Sequence, residues 1–353
     1  MPIGKKLLPP LSILVLAVLL VVPAAAQATL AFVRNPAHPT VFVAGDEGSG
    51  AKKLVAGEDP HVSPDGKIVA LLRQGVSLKS KPEMVLAPVD GSAPPTVLVK
   101  GWRLPEVFDW SPDSKLIVAV LGPELGKQRL VLISTETGAQ RTLAHGFFSG
   151  VSFSPDGGEL VYAMAGAERF PLRSDIYRTE VLPPGAVSVK AVVPQRLTSD
   201  RRSSYPLWGP QEIVFVKAVD AKKRKYGPKN ELYLMNPNGK GVKRLTHTKV
   251  DPLLQGLFPT AWSASGNQLL AEFEGQDTSY AVKVNPRTGS QKLIGKAGEQ
   301  GFVGTALSSD GKFVLGFEGG FDPGSRHDVV RIPYKGGKPK VLARNAFEPE
   351  WSL

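Results

Sequence analysis

The residue types most often found as transition-metal ligands and strong nucleophiles, His and Cys, are scarce in this chain. It contains five histidines, His38, His61, His145, His247 and His327, and no cysteine. A transition-metal centre needs imidazole, thiolate or carboxylate ligands brought close together. No two histidines show the His-x-His or His-x-x-His spacing, so no metal and no other cofactor is expected. The absence of cysteine excludes disulfides, thiolate catalysis and a lipidated cysteine. Four aspartates, Asp65, Asp113, Asp156 and Asp310, recur in one tetrapeptide, Ser-Pro-Asp-Gly or a close variant. They could form an acidic ring. Pro at the second turn position, Asp bonding its own backbone and Gly at positive φ instead make them turn formers. Gly-x-Ser-x-Gly, Gly-x-x-x-x-Gly-Lys-Ser/Thr and Gly-x-Gly-x-x-Gly are all missing, which removes the usual esterase, nucleotide and dinucleotide signatures. No catalytic residue is therefore assigned, and the chain is not expected to be an enzyme.

One segment does suggest recognition. Lys222, Lys223, Arg224, Lys225, Tyr226 and Lys229 crowd into 217–230. Across 196–249, 13 Lys and Arg stand against four Asp and Glu. Residues 29–353 hold 41 against 32. The difference is nine in both cases, so this one stretch carries the whole positive excess. Such asymmetry points to an acidic partner. Nucleic acid is not the expected partner, because no set of stacking aromatics accompanies the basic run.

The elements that must position these residues repeat. The tetrapeptide anchors fall at 63, 111, 154, 209, 263, 308 and 352, at intervals of 48, 43, 55, 54, 45 and 44 residues. Val62, Trp110, Phe153, Trp208, Trp262, Leu307 and Trp351 precede them, all apolar. After each turn comes an aliphatic run, such as 68–72, 116–121 or 269–273. A second strand follows and ends in a Gly turn, and a last short strand closes around Leu98, Leu143, Leu197, Leu245, Leu293 or Leu342. Four short strands in about 45 residues make one propeller blade. Residues 29–56 lack a first strand and 346–353 supply one. Joined, they give a seventh blade and hide two sheet edges. Seven blades are expected, with six as the alternative.

The apolar residue followed by Ser-Pro-Asp-Gly, together with Leu232-Tyr-Leu-Met-Asn-Pro-Asn-Gly239 and Arg244-Leu-Thr246, resembles the WD40-like repeat of TolB-type β-propellers. The resemblance covers about 29–353. It implies an all-β propeller and, for function, the habit of binding partners in the cell envelope. The α/β domain that precedes the propeller in TolB proper has no counterpart in the expected layout. Nor does the hydrolase domain that follows such propellers in prolyl-oligopeptidase-like peptidases.

Residues 1–28 read as a cleavable signal peptide: Lys5 and Lys6, an apolar run over 11–22, Pro23, then small residues. The run is too short to span a bilayer, and no later stretch is long enough. The expectation is an exported propeller, periplasmic or secreted, that binds an unidentified protein or anionic envelope component. Its contact would lie on the face bearing 217–230. The alternative is a metal-assisted lyase or lactonase at the propeller axis.

Overall fold

The computed structural model describes residues 29–352, apart from 75–80, 102–107, 123–127, 167–172, 187–191, 221–227, 250–254, 276–278, 296–300 and 320–324. The signal-peptide expectation for 1–28 lies outside the described residues. Among those described there is no helix; the regular elements are all strands.

The strands group into seven antiparallel units of four, called blades I to VII in order round the ring. Blade I combines Phe347–Trp351 with Thr29–Arg34, Thr40–Gly45 and Lys52–Ala56. Blades II, III and IV span 58–100, 108–145 and 147–196, and blades V, VI and VII span 203–244, 256–293 and 302–343. The second strands, Ile68–Arg73, Leu116–Leu121, Glu159–Ala165, Ile213–Val219, Leu269–Glu274 and Phe313–Glu318, lie where the aliphatic runs lie. In blade I, Leu30 pairs with Trp351 and Val33 with Phe347. The Thr29 N–H donates to Ser352 Oγ at 2.8 Å, and the Ser352 N–H donates to the Thr29 carbonyl at 2.9 Å.

The core lies between the blades. Side chains alternate along a strand, so each strand serves two neighbours. On Thr29–Arg34, Leu30 and Phe32 pack against Leu315 and Val329 of blade VII, whereas Ala31 and Val33 pack against Val69 and Leu71 of blade II. The same arrangement recurs at every junction, giving seven apolar clusters, each drawn from two adjacent blades. Each fully buried Leu or Phe in them contributes about 1.5–3 kcal/mol.

The anchors are turns. Ser63 Oγ donates to Asp65 Oδ1 at 2.7 Å and accepts the Ile68 N–H at 3.0 Å, while Asp65 also accepts the Lys67 N–H. Ser111, Ser154 and Ser308 repeat the pattern with Asp113, Asp156 and Asp310. Burial opposes the charge and is the largest single influence at Asp65 and Asp113, but the hydrogen bonds together outweigh it and hold all four carboxyls below the usual range, Asp310 at about 2. The aspartates are turn formers, not an acidic ring. At blade V the anchor serine is replaced by Gly209, where a Cβ would meet the Trp262 ring of blade VI at 2.7 Å. Blades V and VI also share one parallel bridge, Asn230 to Gly256. Gly256 has φ +115, and a Cβ there would stand 2.4 Å from the Asn230 carbonyl oxygen.

Candidate functional site

Antiparallel order places the anchor turns on one face of the ring. The opposite face carries the loops between second and third strands and the links from blade to blade. The described ends of segment 217–230, residues 217–220 and 228–230, belong to that second face. Within the segment Lys222, Lys223, Arg224, Lys225 and Tyr226 lie outside the described residues.

Lys229 is described, and it points inward. Its side chain is 14% exposed, and Nζ stands 2.9 Å from Glu231 Oε1. Glu231 is fully buried, and a buried carboxylate must be paired and hydrogen-bonded. It receives Arg244 Nη2 at 3.2 Å, the Thr248 N–H at 2.8 Å and the Thr246 hydroxyl. Thr246 Oγ1 accepts the Leu232 N–H at 2.9 Å, and the Leu245 N–H donates to the Leu232 carbonyl. The Arg-Leu-Thr signature is thus a lock. Arg244 of the fourth strand and Thr246 just beyond it enclose an acid on the third, and Lys229 fills the remaining side.

Blade IV holds the same lock in a different state. Asp175 takes the place of Glu231: each lies two residues before a tyrosine, Tyr177 or Tyr233, that pairs with the lock arginine. Arg196 Nη2 reaches Asp175 Oδ2 at 2.5 Å, Thr198 Oγ1 reaches Oδ1 at 3.2 Å, and the Arg201 N–H donates to Oδ1 at 2.9 Å. Asp175 is 3% exposed. The residue equivalent to Lys229 is Arg173, which is exposed. Among the described residues it makes no ion pair with Asp175. A concavity of about 410 Å³ opens here. Arg173, Arg196 and Arg201 supply three guanidiniums and Asp175 one carboxylate, with Met164 and Tyr177 as apolar walls. It lies on the loop face, next to blade V.

A second cluster sits at the axis, on first strands. His61 of blade II lies between two carboxylates, with Nδ1 3.1 Å from Glu350 Oε2 of blade I and Nε2 3.3 Å from Asp59 Oδ1. Glu348 Oε2 accepts the Asp59 N–H at 2.8 Å. Burial opposes a charge on His61, but the Glu350 charge and the Asp59 hydrogen bond outweigh it, so its pKa is well above 6.5. Burial likewise pushes Asp59 up, and His61 outweighs that, leaving it lowered. Asp109 of blade III accepts the Phe153 N–H at 3.1 Å, and burial raises it to about 6. With both ring nitrogens facing carboxylates, His61 is arranged as an imidazolium, not as a neutral metal ligand. Among the described residues no three His, Asp or Glu share a geometry for one metal ion.

The other histidines are scattered. His38, His145 and His247 are exposed, and His327 lies edge-on to Phe317 and tilted against Phe347. Sequence reasoning missed both the arginine concavity and the axial cluster. The axial one had a signal: His61, Asp109 and Glu350 each fall two residues before an anchor, in three successive blades.

No protein-family model matches the chain, and no curated protein matches it in sequence. Solved structures do match in fold. TolB from Acinetobacter baumannii superposes with a TM-score of 0.55 at 16% identity, over 92% of this chain and 83% of that one. The β-propeller domain of the Trilobed protease from Pyrococcus furiosus gives 0.62 at 14% identity, over 91% and 93%. Oligogalacturonate lyase from Vibrio parahaemolyticus gives 0.57 at 13%, over 91% and 87%. At these identities the likeness concerns architecture, and the neighbours include TolB, a protease's propeller domain and a lyase. Strand order, blade junctions and superposition agree: the chain is an all-β β-propeller built of four-stranded blades, similar in fold to TolB.

Proposed function

We propose that this chain is an exported, non-enzymatic binding propeller that engages an acidic protein or anionic envelope component through the loop face of blades IV and V. One observation carries the reading: the entire positive excess of 29–353 falls within 196–249, which borders that face. A rigid ring with variable loops on one side is a common way to present a contact surface. A one-sided positive field steers an acidic partner toward it. The axial alternative, a metal-assisted lyase or lactonase, would need a free base or a ligand set. The paired His61 favours a structural role there.

The test is capture from an envelope fraction by the purified protein, beside a variant with Lys222, Lys223, Arg224 and Lys225 changed to Ser. The reading expects one acidic partner retained by the first and lost from the second. Equal capture by both would contradict it. Stoichiometric divalent metal in the purified protein would favour the axial alternative.

A further inference from the structure

The locks of blades IV and V share their acid, their arginine and their threonine, but they differ in what completes them. In blade V the Lys229 ammonium closes the site against Glu231, and its Nζ also donates to the Thr248 carbonyl at 2.9 Å. In blade IV the corresponding side chain, Arg173, is exposed and a cavity remains. Asp175 is satisfied by Arg196, Thr198 and the Arg201 backbone, which leaves the Arg173 guanidinium to act elsewhere.

The site is also held in place. Arg196 is fixed at both ends, Nη2 on Asp175 and Nε on the Thr198 carbonyl at 2.9 Å. Arg201 adopts a left-handed backbone, φ +54, which costs energy in a non-glycine residue and is maintained where surrounding structure imposes it. Its N–H bond to Asp175 does so here. Tyr177 is stacked on Tyr162, centroids 5.7 Å apart, so that wall is rigid. Three guanidiniums against one carboxylate leave a local charge of two positives. Guanidinium forks match the oxygens of phosphate and carboxylate groups. A volume of about 410 Å³ sits at the lower end of small-ligand pockets, larger than a bare ion needs.

We infer that the blade IV concavity is a binding subsite for a small molecule or terminal group carrying two negative charges on oxygen, a phosphate monoester or a dicarboxylate, held by Arg173, Arg201 and Arg196. Asp175 is the positioning residue that orients two of these, and Tyr177 and Met164 receive the ligand's carbon skeleton. This deepens the binding reading above and rests on its choice of face.

The experiment is calorimetric titration of the purified protein with inorganic phosphate, glycerol 3-phosphate and succinate, each at constant ionic strength and at a pH where a phosphate monoester is dianionic. The variants are Arg173→Ser and Arg201→Ser, with Lys240→Ser, an exposed lysine on the opposite face, as a control for lost charge. Circular dichroism and the thermal midpoint confirm that each is folded. At least one probe should bind, about tenfold or more weaker in each arginine variant and unchanged in Lys240→Ser. Glycerol 3-phosphate binding above phosphate and succinate identifies a phosphoryl ligand; succinate alone identifies a dicarboxylate. No binding of any probe at about 10 mM, or equal weakening by all three substitutions, would overturn the subsite. Failure here with envelope capture still lost on changing 222–225 would leave the binding reading standing. The reverse result would separate the two the other way.

Discussion

His61 Nδ1 and Glu350 Oε2 stand 3.1 Å apart across the junction where the last strand of the chain meets blade II. The contact joins residues far apart in sequence, and it does so beside the Asp59 N–H to Glu348 bond at 2.8 Å. The strand that pairs with Thr29–Arg34 is therefore also tied sideways, by charge, to the next blade.

That tie should depend on pH. A histidine whose folded pKa is raised stabilises the fold fully below its unfolded value, near 6.5, and loses that contribution as pH rises through the raised value. Glu350→Gln removes the largest of the influences that raise it. The expected cost is about 1–2 kcal/mol near pH 6, shrinking at alkaline pH, as read from urea midpoints. An equal cost at both pH values would contradict an imidazolium at His61.

Asp109 has the opposite interest. Its carboxyl is raised to about 6 by burial, so the fold prefers it protonated, and ionisation destabilises as pH climbs from the ordinary carboxylate range through about 6. Asp109→Asn keeps an acceptor for the Phe153 N–H and removes the charge. The variant should match the parent near pH 4 and exceed it by up to about 3 kcal/mol above pH 7.

Lys229 and the lysines at 222–225 should separate cleanly. Lys229→Ser leaves the buried Glu231 with one cation fewer, and a loss of about 2–4 kcal/mol follows, with partner capture intact in whatever fraction remains folded. The variant at 222–225 should do the reverse, losing capture with an unchanged unfolding midpoint.

The turn chemistry offers a gain. In blade VI, Ser263 Oγ meets Ser265 Oγ at 3.2 Å, where the anchors of blades II, III, IV and VII have Ser and Asp. Ser265→Asp should complete the turn as in blade II and stabilise by up to about 1 kcal/mol. A neutral or negative effect on the thermal midpoint would show that the Asp contribution is local to the other blades.

Strand positions and turns were legible because both depend on short-range chemistry. An apolar run after Ser-Pro-Asp-Gly fixes a strand, and Trp110 before its anchor is buried against the neighbouring blade, donating from Nε1 to the His61 carbonyl at 3.2 Å. The basic stretch was legible as charge, but the fate of each charge was not. Lys229 reads like its neighbours in sequence, yet it shares a strand face with Glu231 two residues on, and the pairing with Lys243–Arg244 brings Arg244 to the same acid and helps bury it. The axial cluster joins His61 to Glu350 through the order of blades round the ring, and Arg173 meets Arg201 through one blade's outer edge. Neither meeting follows from local pattern. Comparing the same phase in successive repeats would have exposed both.

The most direct test of the binding account is hydrogen exchange of the protein with and without its captured partner. The account expects new protection at 164–175 and across 196–249, on the loop face of blades IV and V. Protection confined to the axial strands, 58–62, 108–110 and 347–351, would contradict it and move the functional site to the channel.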